Sequence, residues 1–302
     1  MRGGRADPGR ILARAAEELQ RHFEGELAPG LYVVATPIGN LGDITLRAIA
    51  VLARADAVLC EDTRHSRTLL SYFGIGTPAR PYHEHNAAKE RPRVLADLAA
   101  GQRIALISDA GTPLVSDPGW KLVREAIDAG HRVEALPGAS ASLTALAVAG
   151  LPTDAFLFAG FLPPKSAGRR ARIAELAAVP ATLVLFEAPS RIAETLADLA
   201  AVLGPRPAAL ARELTKLHEE VRRAPLDRLA AELEGVTLKG EAVILVGPPQ
   251  QGEVSDDDIA ARLAVALEQM SLRDAAKAVA DALGVPKSRV YDLGLRVRKD
   301  AQ

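Results

Sequence analysis

Ile104-Ala-Leu-Ile-Ser-Asp-Ala-Gly-Thr-Pro-Leu-Val-Ser-Asp-Pro-Gly119 is the stretch on which the reading of the fold turns. A short apolar run, long enough for one strand, passes into the loop Ser108–Gly119, which holds two Gly, two Pro, two Asp and two Ser in twelve residues. A loop of this length and composition after a buried strand holds a ligand or an unusual turn. The same arrangement recurs on either side. Leu31–Ala35 runs into Thr36–Asn40, Ala57–Cys60 into Glu61–Arg64, and Val133–Ala135 into Leu136–Ser140. Each loop leads on to a helix-like segment. Strands alternating with helices favour a parallel sheet, which binds ligands outside the carboxyl ends of its strands. Four loops rich in Gly, Pro, Asp and Thr at one sheet edge therefore describe a pocket.

Outward from these loops, a first α/β domain is expected over 29–150. Its strands fall at 31–35, 57–61, 103–108 and 132–136, and its helices at 45–54, 65–73, 87–100, 119–129 and 140–149. Asp43 is placed to cap the first of these helices, and Gly74, Gly101 and Gly130 stand where a left-handed residue ends a helix. A second α/β set is expected over 151–250, with strands at 156–158, 182–186, 208–211 and 242–246 and helices at 166–178, 190–203 and 225–234. The near-continuous apolar runs 182–186 and 242–246 argue for buried sheet. The loops of the two sets would then face each other across a cleft. A third piece, 251–302, begins with a charged linker (Glu253, Asp256, Asp257, Asp258) and continues with helices near 257–269 and 271–283 and one from Ser288, the layout of a small helix-turn-helix module. Its end carries Lys287, Arg289, Arg296, Arg298 and Lys299 against Asp292 and Asp300, a local basic patch.

At 302 residues, 48% hydrophobic and 25% charged, the composition is that of a globular protein with room for two domains. The net charge of -1 gives no global attraction to nucleic acid, so any such binding rests on local patches. A single cysteine, Cys60, excludes an internal disulfide and a cysteine-rich zinc site, and it reads as a small core residue. No apolar run approaches the roughly 18 residues of a membrane span. Residues 1–28 have arginines interrupted by Glu17, Glu18, Glu24 and Glu26 and no apolar segment, so they do not read as a secretory signal. They are an extension outside the domains, disordered or one loose helix over Ile11–Phe23, and the expected address is cytoplasmic.

Thr36–Asn40 stands where a dinucleotide-binding protein would place its phosphate loop, yet it has neither Gly-x-Gly-x-x-Gly nor Gly-Lys-Ser/Thr. Pro37 also removes one N–H of the kind that cradles phosphate. A diphosphate cofactor is disfavoured. Glu61-Asp62-Thr63-Arg64-His65 is either a helix cap or a polar site wall. Tyr82-His83-Glu84-His85-Asn86 pairs two histidines without an evident third ligand, so no zinc site is expected. Arg212–Lys216 is a salt-linked surface or a cleft wall. Lys165, Arg169, Arg170 and Arg172 stand without an acid within Phe161–Arg172, either a solvated helix start or a contact to a phosphate backbone.

Taken in order, Leu31–Asp43, Cys60–Arg64, His83–Asn86, Ser108–Pro113, Leu136–Ala141, Glu187-Ala-Pro-Ser-Arg191 and Arg212-Glu-Leu-Thr-Lys216 closely resemble the bacterial small-subunit ribosomal RNA 2′-O-methyltransferases that modify a decoding-centre cytidine. These are the RNA-acting branch of the tetrapyrrole methylase superfamily, and the resemblance covers about Leu31 to Pro248. It implies the two-domain α/β fold of class III methyltransferases with a small C-terminal helical module. It also implies S-adenosyl-L-methionine in the cleft, no metal, a homodimer, and small-subunit ribosomal RNA or an assembling subunit as substrate. Cofactor contacts carried over by the resemblance are Pro37, Asp109, Ala110, Gly111, Val115, Ser116, Ser140, Ala141, Glu187, Ala211 and Ala242. A sulfonium without phosphates needs acceptors and main-chain groups, which loops of Asp, Ser and Thr supply. Transfer to a ribose hydroxyl requires positioning and the loss of a proton. Asp62, Glu213 and Lys216 are the candidate catalytic groups; Arg64 and His83 are expected to orient the nucleotide, and Lys165, Arg169 and Arg170 to meet RNA. The competing readings are a precorrin-type tetrapyrrole methylase and a non-catalytic regulator binding nucleic acid through 271–302. A nicotinamide dehydrogenase is disfavoured by the missing glycine fingerprint.

Overall fold

The computed structural model describes residues 7–116, 119–249 and 255–300, with side chains through Arg296 in the last stretch. The chain forms two compact units, Met1–Pro248 and Pro249–Gln302.

The first half of the larger unit runs α1 (Pro8–Glu24), β1 (Gly30–Val34), α2 (Leu46–Arg54), β2 (Ala57–Cys60), α3 (Thr63–Tyr72), β3 (Ala79–Pro81), α4 (Glu84–Ala99), β4 (Arg103–Ile107), α5 (Trp120–Asp128), β5 (Val133–Leu136) and α6 (Ala141–Ala149). Its five strands are all parallel, in the order β3-β2-β4-β1-β5. Successive residues of a strand face opposite sides of the sheet. Tyr32, Val34, Val58, Cys60, Ala105 and Ile107 therefore pack with Ala48 and Leu52 of α2 and Leu69 and Leu70 of α3. Leu31, Leu59, Ile104 and Leu106 pack on the other side with Val94 and Leu98 of α4 and Leu122 of α5. Helix cover on both faces is why these strands read as continuous apolar runs. Cys60 lies in this core, where burial pushes its thiol pKa up.

Two local expectations are corrected. Thr45, not Asp43, caps α2 by accepting the Ala48 N–H at 3.1 Å, while Asp43 belongs to a single 3-10 turn over Leu41–Asp43. The N-terminal extension is not loose, because Arg54 of α2 donates to the carbonyls of His22 and Gly25 at 2.6 and 2.7 Å and ties down the end of α1. Residues 1–6 lie outside the described residues.

The second half runs β6 (Phe156–Phe161), α7 (Ser166–Leu176), β7 (Thr182–Glu187), α8 (Ile192–Leu203), β8 (Pro207–Arg212), β9 (Glu220–Pro225), α9 (Leu226–Glu232) and β10 (Ala242–Val246). The sheet order is β6-β7-β10-β8-β9, with β6 parallel to β7 and the remaining pairs antiparallel. One face packs Leu183, Leu185, Leu210 and Ile244 against α7, α8 and α9. The other packs Val184, Ala209, Ala211, Val243 and Leu245 against Ile38 and α6, so α6 joins the two halves through a shared apolar layer. β3 and β9 went unforeseen. Ala79-Arg-Pro81 is short and proline-ended, and Glu220-Val-Arg-Arg-Ala-Pro225 is charged; both are edge strands, which tolerate such residues.

The smaller unit has three helices, α10 (Asp256–Leu267), α11 (Leu272–Leu283) and α12 (Lys287–Asp300). Ile259, Leu263, Leu272, Ala275, Ala276, Val279 and Val290 form its core. Asp256, Asp257 and Asp258 are the first turn of α10, capped by Ser255, and not a linker; Glu253 lies outside the described residues. Arg289 is paired with Asp256 at 2.8 Å, and the side chains of Arg298, Lys299 and Asp300 lie outside the described residues. No helix among the described residues is long and apolar enough to cross a membrane.

Candidate functional site

The carboxyl edge of the first sheet sets four polar groups side by side, following the strand order. His83 follows β3, Glu61 and Asp62 follow β2, Ser108 and Asp109 follow β4, and Thr36 follows β1. The β1 and β4 loops are stitched together by paired backbone hydrogen bonds, Thr36 N–H to Gly111 O at 2.9 Å and Gly111 N–H to Thr36 O at 3.0 Å. Thr112 then donates to Ala139 O at 3.1 Å and ties in the loop before α6. Gly111 has φ +82°, and a Cβ there would meet Ile38 Cγ2 at 3.2 Å, so only glycine permits this closeness without displacement.

The 109–116 loop reaches the second sheet. β6 carries an irregularity between Phe158 and Gly160, where Gly160 has φ +64° and faces the Ser116 hydroxyl. Asp117 and Pro118 of the same loop lie outside the described residues. Between these loops and β7 and β10 lies a cavity of about 360 Å³. It is walled by Asp109, Ala110, Gly111, Val115, Ser116, Ser140, Ala141, Glu187 and Ala242, nine of the eleven residues expected to touch the cofactor. Pro37 lines a neighbouring cavity that shares Asp109, and Ala211 lines a small adjoining pocket with Ile38 and Val243. Among the described residues, no Lys or Arg lines the main cavity, while Asp109, Glu187 and Glu241 do. Glu187 is buried and accepts from Ala188 N–H at 2.8 Å, Thr195 Oγ1 at 2.6 Å and Arg191 Nη2 at 3.1 Å, so its charge is compensated inside the wall.

Phe161 and Phe186 also line the cavity, in edge-to-face contact at 5.7 Å, and were not foreseen. The signal was present in the composition. Four of the six phenylalanines, Phe156, Phe158, Phe161 and Phe186, lie in β6 and β7, in a chain only 4% aromatic.

Non-glycine residues with positive φ are, among the described residues, Leu114, Ser116, Glu213 and Thr215. They fall in two loops, the cavity loop and the turn after β8. Strain of this kind persists where the surroundings over-determine it and concentrates at ligand sites. In the second loop Lys216 Nζ donates to Glu213 at 3.0 Å and Glu241 at 3.2 Å, and Glu213 also accepts the Glu241 N–H at 2.9 Å. That backbone bond, then the lysine, lowers the Glu213 pKa. For Lys216, burial opposes the charge, but hydrogen bonds to the two glutamates outweigh it and the pKa rises. The loop packs directly on the first half, because a Cβ on Gly39 would collide with the Lys216 stem.

Asp62 caps α3 and chelates Arg64, accepting the Arg64 N–H at 2.8 Å and Nη2 at 2.8 Å. The Arg64 side chain and N–H hold its carboxyl at about 2, so it is a weak proton acceptor. Arg64 is 88% exposed. His83 caps α4, its N–H donating to the Asn86 side chain at 2.8 Å. Burial raises the neighbouring Glu61 carboxyl, Asp109 adds to this and His83 opposes it. His83 and His85 have no third ligand: no cluster of His, Cys, Asp or Glu able to hold a metal exists among the described residues.

The basic run after β6 divides. Lys165 and Arg170 are exposed, Arg170 by 52%. Arg169 is not a surface cation, and its expected contact with RNA is corrected: it is 2% exposed and donates to Asp198 at 2.7 Å and to Pro164 O at 3.2 Å. A charged residue faces inward here because Asp198, with Ser166 on the same carboxylate, neutralises it.

A parallel sheet and a mixed sheet border the main cavity, and the family model described as Tetrapyrrole (Corrin/Porphyrin) Methylases matches residues 30–230. The model described as RsmI C-terminal HTH domain matches residues 253–298. Among solved structures, a uroporphyrin-III C-methyltransferase from Thermus thermophilus in complex with S-adenyl homocysteine superposes with a TM-score of 0.53 at 23% identity, over 72% of this chain and 97% of that one. Two relatives named ribosomal RNA small subunit methyltransferase I are more similar in sequence. That of Mesorhizobium japonicum is 52% identical over 88% of this chain and 91% of its own length. That of Micromonospora olivasterospora is 48% identical over 87% and 85%. The chain belongs to the ribosomal RNA small subunit methyltransferase I family of tetrapyrrole-methylase-fold enzymes.

Proposed function

We propose that this chain methylates the ribose 2′-oxygen of a cytidine in small-subunit ribosomal RNA, using S-adenosyl-L-methionine. The observation that carries the reading is the main cavity itself. It has no lysine or arginine among its described lining, three carboxylates, and walls of small residues and phenylalanine, in a chain 52% identical to a small-subunit ribosomal RNA methyltransferase. Arg191 compensates Glu187 and Lys216 pairs with Glu241, which leaves Asp109 to face a ligand; a lining without lysine or arginine offers phosphate no partner and suits a ligand that carries a cation and no phosphate. Its volume of about 360 Å³ lies in the range of small-molecule sites. When bound, the cofactor supplies an electrophilic methyl group on a sulfonium. The Asp109–Gly111 and Ser140–Ala141 segments would hold it with main-chain and side-chain acceptors, and Val115, Ser116, Glu187 and Ala242 would complete the wall. Pro37 would shape the loop beside it, and Ala211 would support it from the adjoining pocket.

The chain's own task is then to place an oxygen and manage its proton. Lys216 is kept protonated by Glu213 and Glu241, so it does not take the hydroxyl proton; its role is to favour the ribose alkoxide that remains once that proton leaves to water, with Glu213 as its positioning residue. Asp62, held at about 2 by Arg64, fixes the start of α3 and aims Arg64 outward toward the nucleotide. His83 borders the same edge. Lys165 and Arg170 offer exposed charge to the phosphate backbone, and the C-terminal helical unit adds further basic residues. The reading includes a cytoplasmic homodimer, no metal, and a partly assembled small subunit as substrate.

Methyl incorporation from labelled cofactor tests it. Label is expected at one cytidine ribose of small-subunit RNA in assembling particles. Label in a porphyrin precursor, or in neither substrate, refutes the proposal.

A further inference from the structure

We infer that a second cavity, which shares Asp109 with the first, is the subsite for the nucleoside of the target nucleotide. This inference rests on the preceding reading and extends it to the chemistry of recognition. The cavity measures about 260 Å³ and is formed by the β1 loop, the first turns of α3 and the end of β4. Four observations point to its occupant.

The first is position. Asp109 lines both cavities, so the two adjoin at that residue. A transfer between two molecules requires adjacent sites of this kind. Asp62 and Glu213 are each paired with a cation, but Asp109 has no Lys or Arg partner among the described residues. The hydrogen bond it accepts is from the Asp62 N–H at 3.3 Å. Its oxygens are left to accept from a ribose hydroxyl.

The second is the lining. Pro37, Leu41, Leu69 and Ile107 offer apolar surface for the faces of a flat ring, while His65, Ser66 and Thr68 offer polar groups for its edge. Stacking between apolar side chains, with polar groups at the edge, is how enzymes that act on a nucleotide hold its flipped-out base.

The third is an unsatisfied group. Ser66 is 3% exposed, and its hydroxyl finds no hydrogen-bond partner except the neighbouring Cys60 thiol, which is a weak one. A buried hydroxyl without a good partner calls for an explanation, and a base edge entering the cavity supplies it.

The fourth is charge and size. No lysine or arginine lines the cavity among the described residues, so it takes the uncharged part of a nucleotide and leaves the phosphates outside. Its volume of about 260 Å³ is smaller than the 360 Å³ of the first cavity. The wall at Gly39 is backed by the Lys216 stem, whose ammonium is turned to Glu213 and Glu241.

Two variants of the full chain test this, each measured for methylation of assembling small subunits and for cofactor affinity by calorimetry. Thr68→Trp fills the cavity and is expected to lower kcat/KM for the RNA by at least about 100-fold, the scale on which misplaced reactants lose rate. Ser66→Ala removes the hydroxyl and is expected to lower it about tenfold, the loss of one hydrogen bond. Both are expected to bind S-adenosyl-L-methionine within about twofold of the parent. A Thr68→Trp protein that binds the cofactor and methylates RNA at the parental kcat/KM overturns the inference. If Thr68→Trp also loses the cofactor, Ser66→Ala decides: a selective drop in kcat/KM supports the subsite, and parental kinetics overturn it. The two readings fail separately. An unmodified protein that labels no small-subunit RNA sinks the function, whereas an active one indifferent to both substitutions sinks only the subsite.

Discussion

Arg169 and Arg170 are neighbours in sequence with opposite fates, and substituting each separately tests the account of the basic run. Arg169→Ala removes a guanidinium that is 2% exposed and bonded to Asp198 at 2.7 Å. Breaking a buried pair costs about 3–5 kcal/mol, because the remaining charge is left uncompensated. Asp198 keeps Ser166 at 3.0 Å and Arg170 at 3.3 Å, so the lower end applies, about 3 kcal/mol. For a cooperative unit of this size, each kcal/mol moves Tm by roughly 2–4 °C, so a fall of about 6–12 °C is expected in a calorimetric scan. RNA affinity measured well below that Tm should keep its salt dependence. Arg170→Ala removes an exposed cation 3.3 Å from an Asp198 that keeps Arg169 at 2.7 Å and Ser166 at 3.0 Å, a loss of about 1 kcal/mol, so Tm should move by less than about 4 °C. Its effect should appear in RNA binding, as a salt slope flatter by about 0.7, the value for one contact to a single strand. An Arg169→Ala protein with unchanged Tm and a flattened slope would refute the division between a buried, paired arginine and an exposed one.

Gly39→Ala should push the Lys216 stem aside, since the added Cβ occupies its place, and lower kcat by about 100-fold with cofactor affinity unchanged; parental kcat would show that Lys216 is not held where the reaction needs it. The Asp62 carboxyl, at about 2 against 3.8 for the free group, contributes stability that is present above pH 3.8 and is lost as pH falls toward 2. Arg64→Ala should let it climb back toward 3.8 in an NMR titration, and an unmoved titration would contradict the pairing. Glu213 is lowered and Lys216 raised, so the stability from the glutamate is lost only below its usual range of about 4.5 and that from the lysine only above 10.5. The pH–rate profile should accordingly show no limb from either group between those values, and one that vanishes in Lys216→Met would count against the assignment. Glu187→Ala strands Thr195 and Arg191 at the cavity wall and should cost about 2–3 kcal/mol of stability together with weaker cofactor binding, measured by denaturation and calorimetry.

Sequence alone determined those features whose cause is local. Ile104–Ile107 and Ala242–Val246 are legible as buried strands because both faces of each are covered, which forces every residue to be apolar. The Ser108–Ser116 loop is legible by composition, and the ordered motifs from Leu31 to Lys216 carry the family resemblance. Tertiary structure decided what depends on partners distant along the chain. Arg169 stands in a run without a nearby acid, and only folding brings Asp198, 29 residues on, to bury it. β9 is charged because it lies at a sheet edge, and that place follows from the order of the other strands. The left-handed backbone at Leu114, Ser116, Glu213 and Thr215 cannot be read from residue type, since such residues adopt it only where packing compels them. Phe161 and Phe186 come to share a cavity with Asp109 for the same reason: an apolar side chain specifies that it will be covered, and the assembled fold specifies by what.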